Sequence, residues 1–352
     1  MNGNDSLSSL QRVLTTLGHQ EPDRVPLFLL LSMHGAKELG LSIKKYFSRP
    51  ENVVEGQLRI RAKYKNDCIY TFFYAPVEVE AWGAEVIYVD DGPPNTGEPF
   101  IHQFSDINNL QPPDVGTCPP LVKVLEATAQ LKAAVGDDAP LIGVAVAPFS
   151  LPVMQMGFEK YLDLMQQPAL FNHLMQVNQA FCVAWANAQL AAGATAICYF
   201  DPVASPTIIP PEMYQKTVFE INRQTLARIN GPTATHFASG LSLPILDQVA
   251  QTGTAVVGVS VQENLTTLKA ACRGKLTVLG NLNGIEMRRW SATEAEQKVK
   301  EAIAQAGPGG GFILSDNHGE IPWQVPEDTL LAISEAAHTW GHYPLDWVGR
   351  GG

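Results

Sequence analysis

The sequence predicts a single (β/α)8 barrel of the α/β class, a TIM barrel, with residues 1–352 forming one domain. Three observations predict it. Eight short, nearly continuous apolar runs recur along the chain, as strands buried on both faces of a parallel sheet require. Amphipathic stretches of helical length alternate with them, which points to a closed barrel or a large doubly wound sheet. No Gly-x-Gly-x-x-Gly follows the first run, so the dinucleotide-binding form of the doubly wound sheet loses its signature and the barrel is preferred.

In order, the strand runs are Val25–Leu31, Cys68–Tyr74, Pro140–Ala147, Ala194–Phe200, Thr233–Phe237, Ala255–Ser260, Lys275–Leu279 and Gly311–Leu314. The helical segments are Pro50–Lys65, Gln167–Ala192, Pro211–Ile229, Leu243–Thr252, Leu265–Ala271, Ala292–Ala306 and Pro326–Trp340. Proline near a helix start suits the first turn, where its missing N–H is not needed. Gly193, Gly231, Gly253, Gly307 and Gly341 follow helices, where a C-terminal cap favours glycine. Val79–Gln103 breaks the alternation and reads as a hairpin inserted after strand two, at the end of a barrel where insertions wall the substrate. The glycines at 307–311 form a turn into strand eight and lack the Gly-Lys-Ser/Thr ending of a phosphate loop. The tail Trp347–Gly352 reads as loose.

Composition narrows the function. A formal net charge of -11 repels phosphate backbones and anionic lipid, so nucleic acid and membrane surfaces are not expected partners. No run of about 18 apolar residues marks a transmembrane helix, and Met1–Gln11 is too polar for a signal-peptide core. A cytoplasmic location is expected. The cysteines at 68, 118, 182, 198 and 272 are scattered and form no Cys-x-x-Cys pair, so neither a disulfide framework nor a cysteine zinc knuckle is indicated. Cys68 and Cys198 fall inside strand runs and read as small buried hydrophobes.

In a barrel, polar residues just past the C-terminal strand ends are the first candidates for chemistry. Ser32 and His34 follow strand one, Tyr74 ends strand two, and Asp201 follows strand four. His236 and Ser239 belong to strand five, Asn281 to strand seven, and Asp316, Asn317, His318 and Glu320 to strand eight. The His236 and His318 loops are expected to meet over the mouth. Two imidazoles with a carboxylate from Asp316, Asp201 or Glu320 would make a metal set; ordinary loop hydrogen bonds are the alternative. Asp201 either orients a ligand or caps a turn. His34, before a helix start, either helps bind an anion or caps the helix. His173, His338 and His342 are expected at the surface.

Several segments together resemble the uroporphyrinogen decarboxylase superfamily, which includes cobalamin-dependent methyltransferases acting on coenzyme M. They are Glu-Pro-Asp-Arg-Val-Pro at 21–26, Val-Glu-Val-Glu-Ala-Trp-Gly at 77–83 and Asp-Pro-Val-Ala-Ser-Pro at 201–206. Later come His-Phe-Ala-Ser-Gly at 236–240, Gly-Asn-Leu-Asn at 280–283 and Gly-Phe-Ile-Leu-Ser at 311–315. The resemblance runs over nearly the whole chain. The decarboxylase branch implies an arginine-rich loop after strand one that holds the substrate's carboxylates; here the loop is Leu-Ser-Met-His-Gly-Ala-Lys at 31–37, without arginine. The Ser-Met-His-Gly-Ala stretch looks more like the methyltransferase branch. That branch implies a zinc histidine at His236 and two zinc cysteines. Ala238, with Ser239 beside it, stands at the first cysteine position and His318 at the second.

The resemblance therefore implies a methyltransferase-like enzyme that takes a methyl group from a corrinoid, held on a separate protein, to a small acceptor. His236 and His318 would act as ligands or proton donors, and Asp201 and Asn281 as positioning groups. His34, Tyr74 and Ser239 would contact the bound molecule, and His236, His318 and Asp316 would hold any zinc. A carboxy-lyase and a non-catalytic binding barrel are the alternatives.

Overall fold

The computed structural model describes residues 6–349. Its strands are β1 (Leu27–Phe28), β2 (Ile69–Tyr70), β3 (Val86–Ile87), β4 (Asn95–Thr96), β5 (Leu141–Val146), β6 (Ala196–Phe200), β7 (Thr233–His236), β8 (Val256–Gly258), β9 (Thr277–Leu282) and β10 (Phe312–Asp316). Eight of them form one parallel sheet in the order β1-β10-β9-β8-β7-β6-β5-β2. Helices surround the sheet, giving a nearly closed (β/α)8 barrel. β3 and β4 form a separate antiparallel pair, with Val86 opposite Thr96, between β2 and β5.

Side chains complete the seam between β1 and β2. The Asp67 N–H donates to the Leu27 carbonyl at 2.8 Å. The Asn66 amide accepts from the Leu29 N–H at 3.1 Å and donates to the Leu29 carbonyl at 3.2 Å. The Asp67 carboxylate takes the Leu27 N–H at 2.8 Å. Buried backbone groups at this edge thus find partners without a regular ladder.

Each strand is apolar on both faces because both faces are covered. Phe28, Leu30, Tyr70, Val144, Cys198, Val256, Leu279 and Ile313 point inward and fill the barrel. Their sequence neighbours, such as Leu27, Leu29, Ile197, Tyr199, Val257 and Leu314, point outward into the helical layer. The helix Ser9–Leu17 plugs the N-terminal end, and its start is fixed by a capping box between Ser8 and Gln11. Its Leu10, Val13, Leu14 and Leu17 line an interior space of about 70 Å³ with Phe28, Tyr70 and Cys198. That space is too small and too apolar for a polar ligand, which leaves the C-terminal mouth for function.

The tail folds back rather than hanging loose: Trp347 donates its indole N–H to the Trp340 carbonyl at 3.0 Å and meets the Trp340 ring edge-on at 5.5 Å. Residues 350–352 of that tail, and the first five residues of the N-terminal stretch, lie outside the described residues. Among the described residues no helix is long and apolar enough to cross a membrane.

Candidate active site

The mouth is built from the C-terminal ends of β7, β10 and β1. His236 closes β7 and is fully buried, with its ring 5.7 Å from that of Phe200. The chain then turns through Ala238, at φ 52°, and brings the Ala238 N–H back to His236 Nδ1 at 3.0 Å. A backbone N–H can only donate, so Nδ1 presents its lone pair. Burial, with a smaller contribution from His318, pushes the ring's pKa down to about 4. The neutral ring therefore carries its proton on Nε2, and that buried N–H has no partner in the protein.

Two glycines make room for this ring. A Cβ at Gly258 on β8 would fall 2.4 Å from His236 Cδ2, and one at Gly319 would fall 3.5 Å from its Cε1. Gly319 follows His318, so the His236 and His318 loops converge as the sequence implied. Gly258→Ala is expected to destabilise the fold by about 1–3 kcal/mol and to turn the imidazole. Thermal melting together with the His236 imidazole NMR signals would read both effects; an unchanged melting temperature would contradict this packing.

The loop after β10 supplies most of the remaining polar groups. Asp316 Oδ2 accepts the His318 N–H at 2.8 Å and the Gly319 N–H at 3.1 Å. Asp316 Oδ1, both ends of the Asn317 amide and His318 Nδ1 are buried without partners. Ser32, after β1, donates to Glu320. Burial pushes the Asp316 carboxyl up to about 7, opposed by its backbone hydrogen bonds. Burial, and then the Asp316 carboxylate, pushes Glu320 up to about 8. Burial thus favours the protonated form of each carboxyl near neutrality. His34 completes the mouth on the β1 side. Its ring is 5.9 Å from Trp323, and Lys37 lies 4.4 Å over that indole while donating to the Trp323 carbonyl. Burial and then the Lys37 charge push His34 down to about 3.

Other predicted residues have protein partners of their own. Asp201, just past the C-terminal end of β6, is fully buried, and its N–H donates to the His236 carbonyl at 2.8 Å. Its Oδ1 accepts from Ser150 at 2.6 Å and its Oδ2 from Asn222 at 2.8 Å. Burial, opposed by those two bonds, raises it to about 6. These two bonds tie the β5 loop to the helix Phe219–Leu226. Asn281 donates to the Ser260 carbonyl at 3.1 Å and lines a cleft of about 500 Å³ beside the mouth with Asn283 and Trp290. Tyr74 turns into the packing around Phe47 and Tyr88 and gives its hydroxyl to Glu80 at 2.7 Å. Ser239 contributes its carbonyl to the Ser260 hydroxyl at 2.8 Å. Ser32 and Glu320 were each expected at a strand end, but their pairing and the Trp323 cover were not, because the partners lie almost the full chain length apart.

The zinc that the resemblance implies does not fit these donors. Neither thiolate is present, His236 Nδ1 already receives an N–H, and its Nε2 carries the proton. Among the described residues, no group of three or more His, Cys, Asp or Glu side chains is placed to hold a metal ion. The expected set of His236, His318 and Asp316 is thus a hydrogen-bonding group in this geometry.

This chain is similar to known proteins over most of its length. A uroporphyrinogen decarboxylase of Methylobacillus flagellatus is 26% identical over 266 residues, covering 72% of this chain and 73% of that protein. One from Xylella fastidiosa is 25% identical over 350 residues, covering 92% and 97%. The solved structure of a methyltransferase from Methanosarcina mazei superposes with a TM-score of 0.84 at 20% identity, over 95% of this chain and 99% of that one, a likeness of fold. The family model described as uroporphyrinogen decarboxylase (URO-D) matches residues 8–340, and the chain belongs to that family of enzymes.

Proposed function

We propose that this enzyme moves a methyl group from a corrinoid, carried by a separate protein, to a small acceptor bound at the barrel mouth. The observation that carries the reading is the set of buried, unpartnered polar atoms at one end of an apolar barrel: His236 Nε2, Asp316 Oδ1, the Asn317 amide and His318 Nδ1. Leaving such groups unpaired costs about 1–3 kcal/mol each, which a bound molecule would recover. The corrinoid supplies an electrophilic methyl group. The acceptor's heteroatom forms the new bond to carbon, the methyl–cobalt bond breaks with its electron pair remaining on the corrinoid, and the acceptor's proton passes to the Asp316–Glu320 pair. His236 and Asn317 orient the acceptor by hydrogen bonds.

Charge disfavours a polycarboxylate substrate. Lys37 is a cation placed at the mouth; Arg59 pairs with Glu55 on a helix surface, and Arg61 pairs with Asp138 at the opposite end. The acidic pair would repel carboxylates. The rim suits a protein partner. Ile208, Leu243, Val261 and Ile285 stand on the successive loops after β6, β7, β8 and β9, and remain 48%, 37%, 40% and 44% exposed. The decarboxylase reading draws on the names of the curated relatives and on an acid that keeps its proton near neutrality.

The test is loss of the methyl–cobalt absorbance when the enzyme is mixed with methylcobalamin and either tetrahydrofolate or a thiol. Turnover is expected to survive exhaustive chelation. No transfer to any acceptor, or conversion of uroporphyrinogen to coproporphyrinogen, would overturn the proposal.

A further inference from the structure

A group that moves a proton has to be held on a backbone that does not swing, and the loop after β10 turns on a glycine. Gly319 sits at φ 89°, a conformation open to glycine at little cost. A Cβ there would fall 2.8 Å from Phe200 Cε2, so a larger residue could not stiffen this point. Hydrogen bonds pin the peptide groups on both sides of it instead. The Gly319 N–H donates to Asp316 Oδ2 at 3.1 Å. The Gly319 carbonyl accepts from the Tyr70 hydroxyl at 3.1 Å. One residue further on, the Ile321 N–H donates to the Leu30 carbonyl at 3.0 Å. Glu320 therefore stands between two fixed peptide groups, with the Ser32 hydroxyl on its carboxyl group.

Tyr70 reaches this loop from β2, past β1. Its ring meets Phe28 edge-on at 5.6 Å and lies 5.3 Å from Phe72, inside the barrel and out of solvent. Burial, and then Cys198, Glu320 and Asp316 nearby, pushes its phenol well above the ordinary range, so the hydroxyl keeps its proton and always donates. The sequence pointed to Tyr74 at the end of this strand run, but Tyr74 turns away to Glu80, and it is Tyr70 that meets the mouth.

We propose that Tyr70 is a positioning residue for the proton-accepting pair: its hydroxyl fixes the Gly319–Glu320 peptide group and so aims the Glu320 carboxyl toward Asp316. The assignment rests on the reading that this pair takes the acceptor's proton.

Tyr70→Phe tests it, because the ring stays and only the hydroxyl goes. The control is Tyr343→Phe, which removes a like bond to the Gly307 carbonyl, 2.6 Å long and ahead of β10 at the other end of the barrel. Both variants should fold and melt somewhat below wild type, each having lost one hydrogen bond. Only Tyr70→Phe should shift the NMR signal of the Glu320 carboxyl carbon and speed deuterium exchange at the Gly319 N–H. In the methyl-transfer assay it should lower kcat roughly tenfold to a hundredfold, the scale for a small misplacement of a reacting group, with KM nearly unchanged. Tyr343→Phe should match wild type in both signals and in kcat. Absence of transfer by the wild-type enzyme would defeat the methyl-transfer reading, and the two NMR readouts would then decide the role of Tyr70 by themselves. Unmoved Glu320 and Gly319 signals in Tyr70→Phe, a wild-type kcat in that variant, or the same changes in Tyr343→Phe would each overturn the assignment.

Discussion

Replacing Asp67 by alanine is expected to destabilise the barrel by about 3–5 kcal/mol, the range for removing one partner from a buried ionic group. Asp67 is fully buried. Its Oδ1 receives Arg12 Nη1 at 2.6 Å and the Ser9 hydroxyl at 3.0 Å, and its Oδ2 receives Arg24 Nη1 at 2.7 Å and the Leu27 N–H at 2.8 Å. Alanine would take the Asp67 carboxylate away from two guanidinium groups and would strip the Leu27 N–H of its partner in the β1–β2 seam. Asp67→Asn keeps an acceptor for Leu27 while removing the charge, so it should fall between wild type and alanine. Thermal melting should show a fall on the order of 5–10 °C for alanine. A smaller loss for alanine than for asparagine would mean that the seam, and not the charge, is irrelevant to stability. The Asp-Arg of the 21–26 segment is explained by the same cluster: Asp23 and Arg24 are its other members.

The strands were legible because burial on both faces leaves a continuous apolar run, and all eight expected runs overlap a barrel strand. Several helices were not foreseen, the two longest being Ser9–Leu17 and Pro119–Val135. Ser9–Leu17 lies in a stretch read as a polar N-terminus, although Ser8 and Gln11 form a capping box. Pro119–Val135 begins with proline and ends at Gly136, the same signals used elsewhere, but follows an irregular proline-containing segment that hid its start. The mouth was legible as far as residue types at strand ends could carry it: His236, Asp316 and His318 do converge. Asp201 turns toward the helical layer for a reason the pattern contains. Cys198 and Phe200 face inward, so the next residue faces the helices. The misfit of these donors to zinc has a reason no side-chain list contains, because a backbone N–H from Ala238 occupies His236 Nδ1. Likewise, nothing local announces that Ser32 will meet Glu320.

Asp316→Asn is expected to separate activity from stability. If the Asp316–Glu320 pair accepts the proton, losing its central carboxylate should slow methyl transfer by about 10²–10³-fold, the usual contribution of a positioned base. The wild-type rate should rise with pH as the pair deprotonates, around the values of about 7 and about 8 to which burial pushes Asp316 and Glu320. Stability should move the other way. In the unfolded chain an aspartate releases its proton near pH 3.9, roughly. The folded chain holds that proton up to about 7, so over this window the native state binds more protons than the unfolded one. Stability contributed by this group is thus greatest below the unfolded value and is lost as the pH rises through the folded value. Asparagine stays neutral and can still accept the His318 and Gly319 N–H groups, so it avoids this loss. Asp316→Asn should therefore melt close to wild type at about pH 5 and above it at about pH 8, while being nearly inactive at both. A group retained at a functional site despite such a cost is one whose ionisation the site uses. A variant that keeps full activity, or that melts below wild type at the higher pH, would remove Asp316 from the chemistry and leave it as a turn cap.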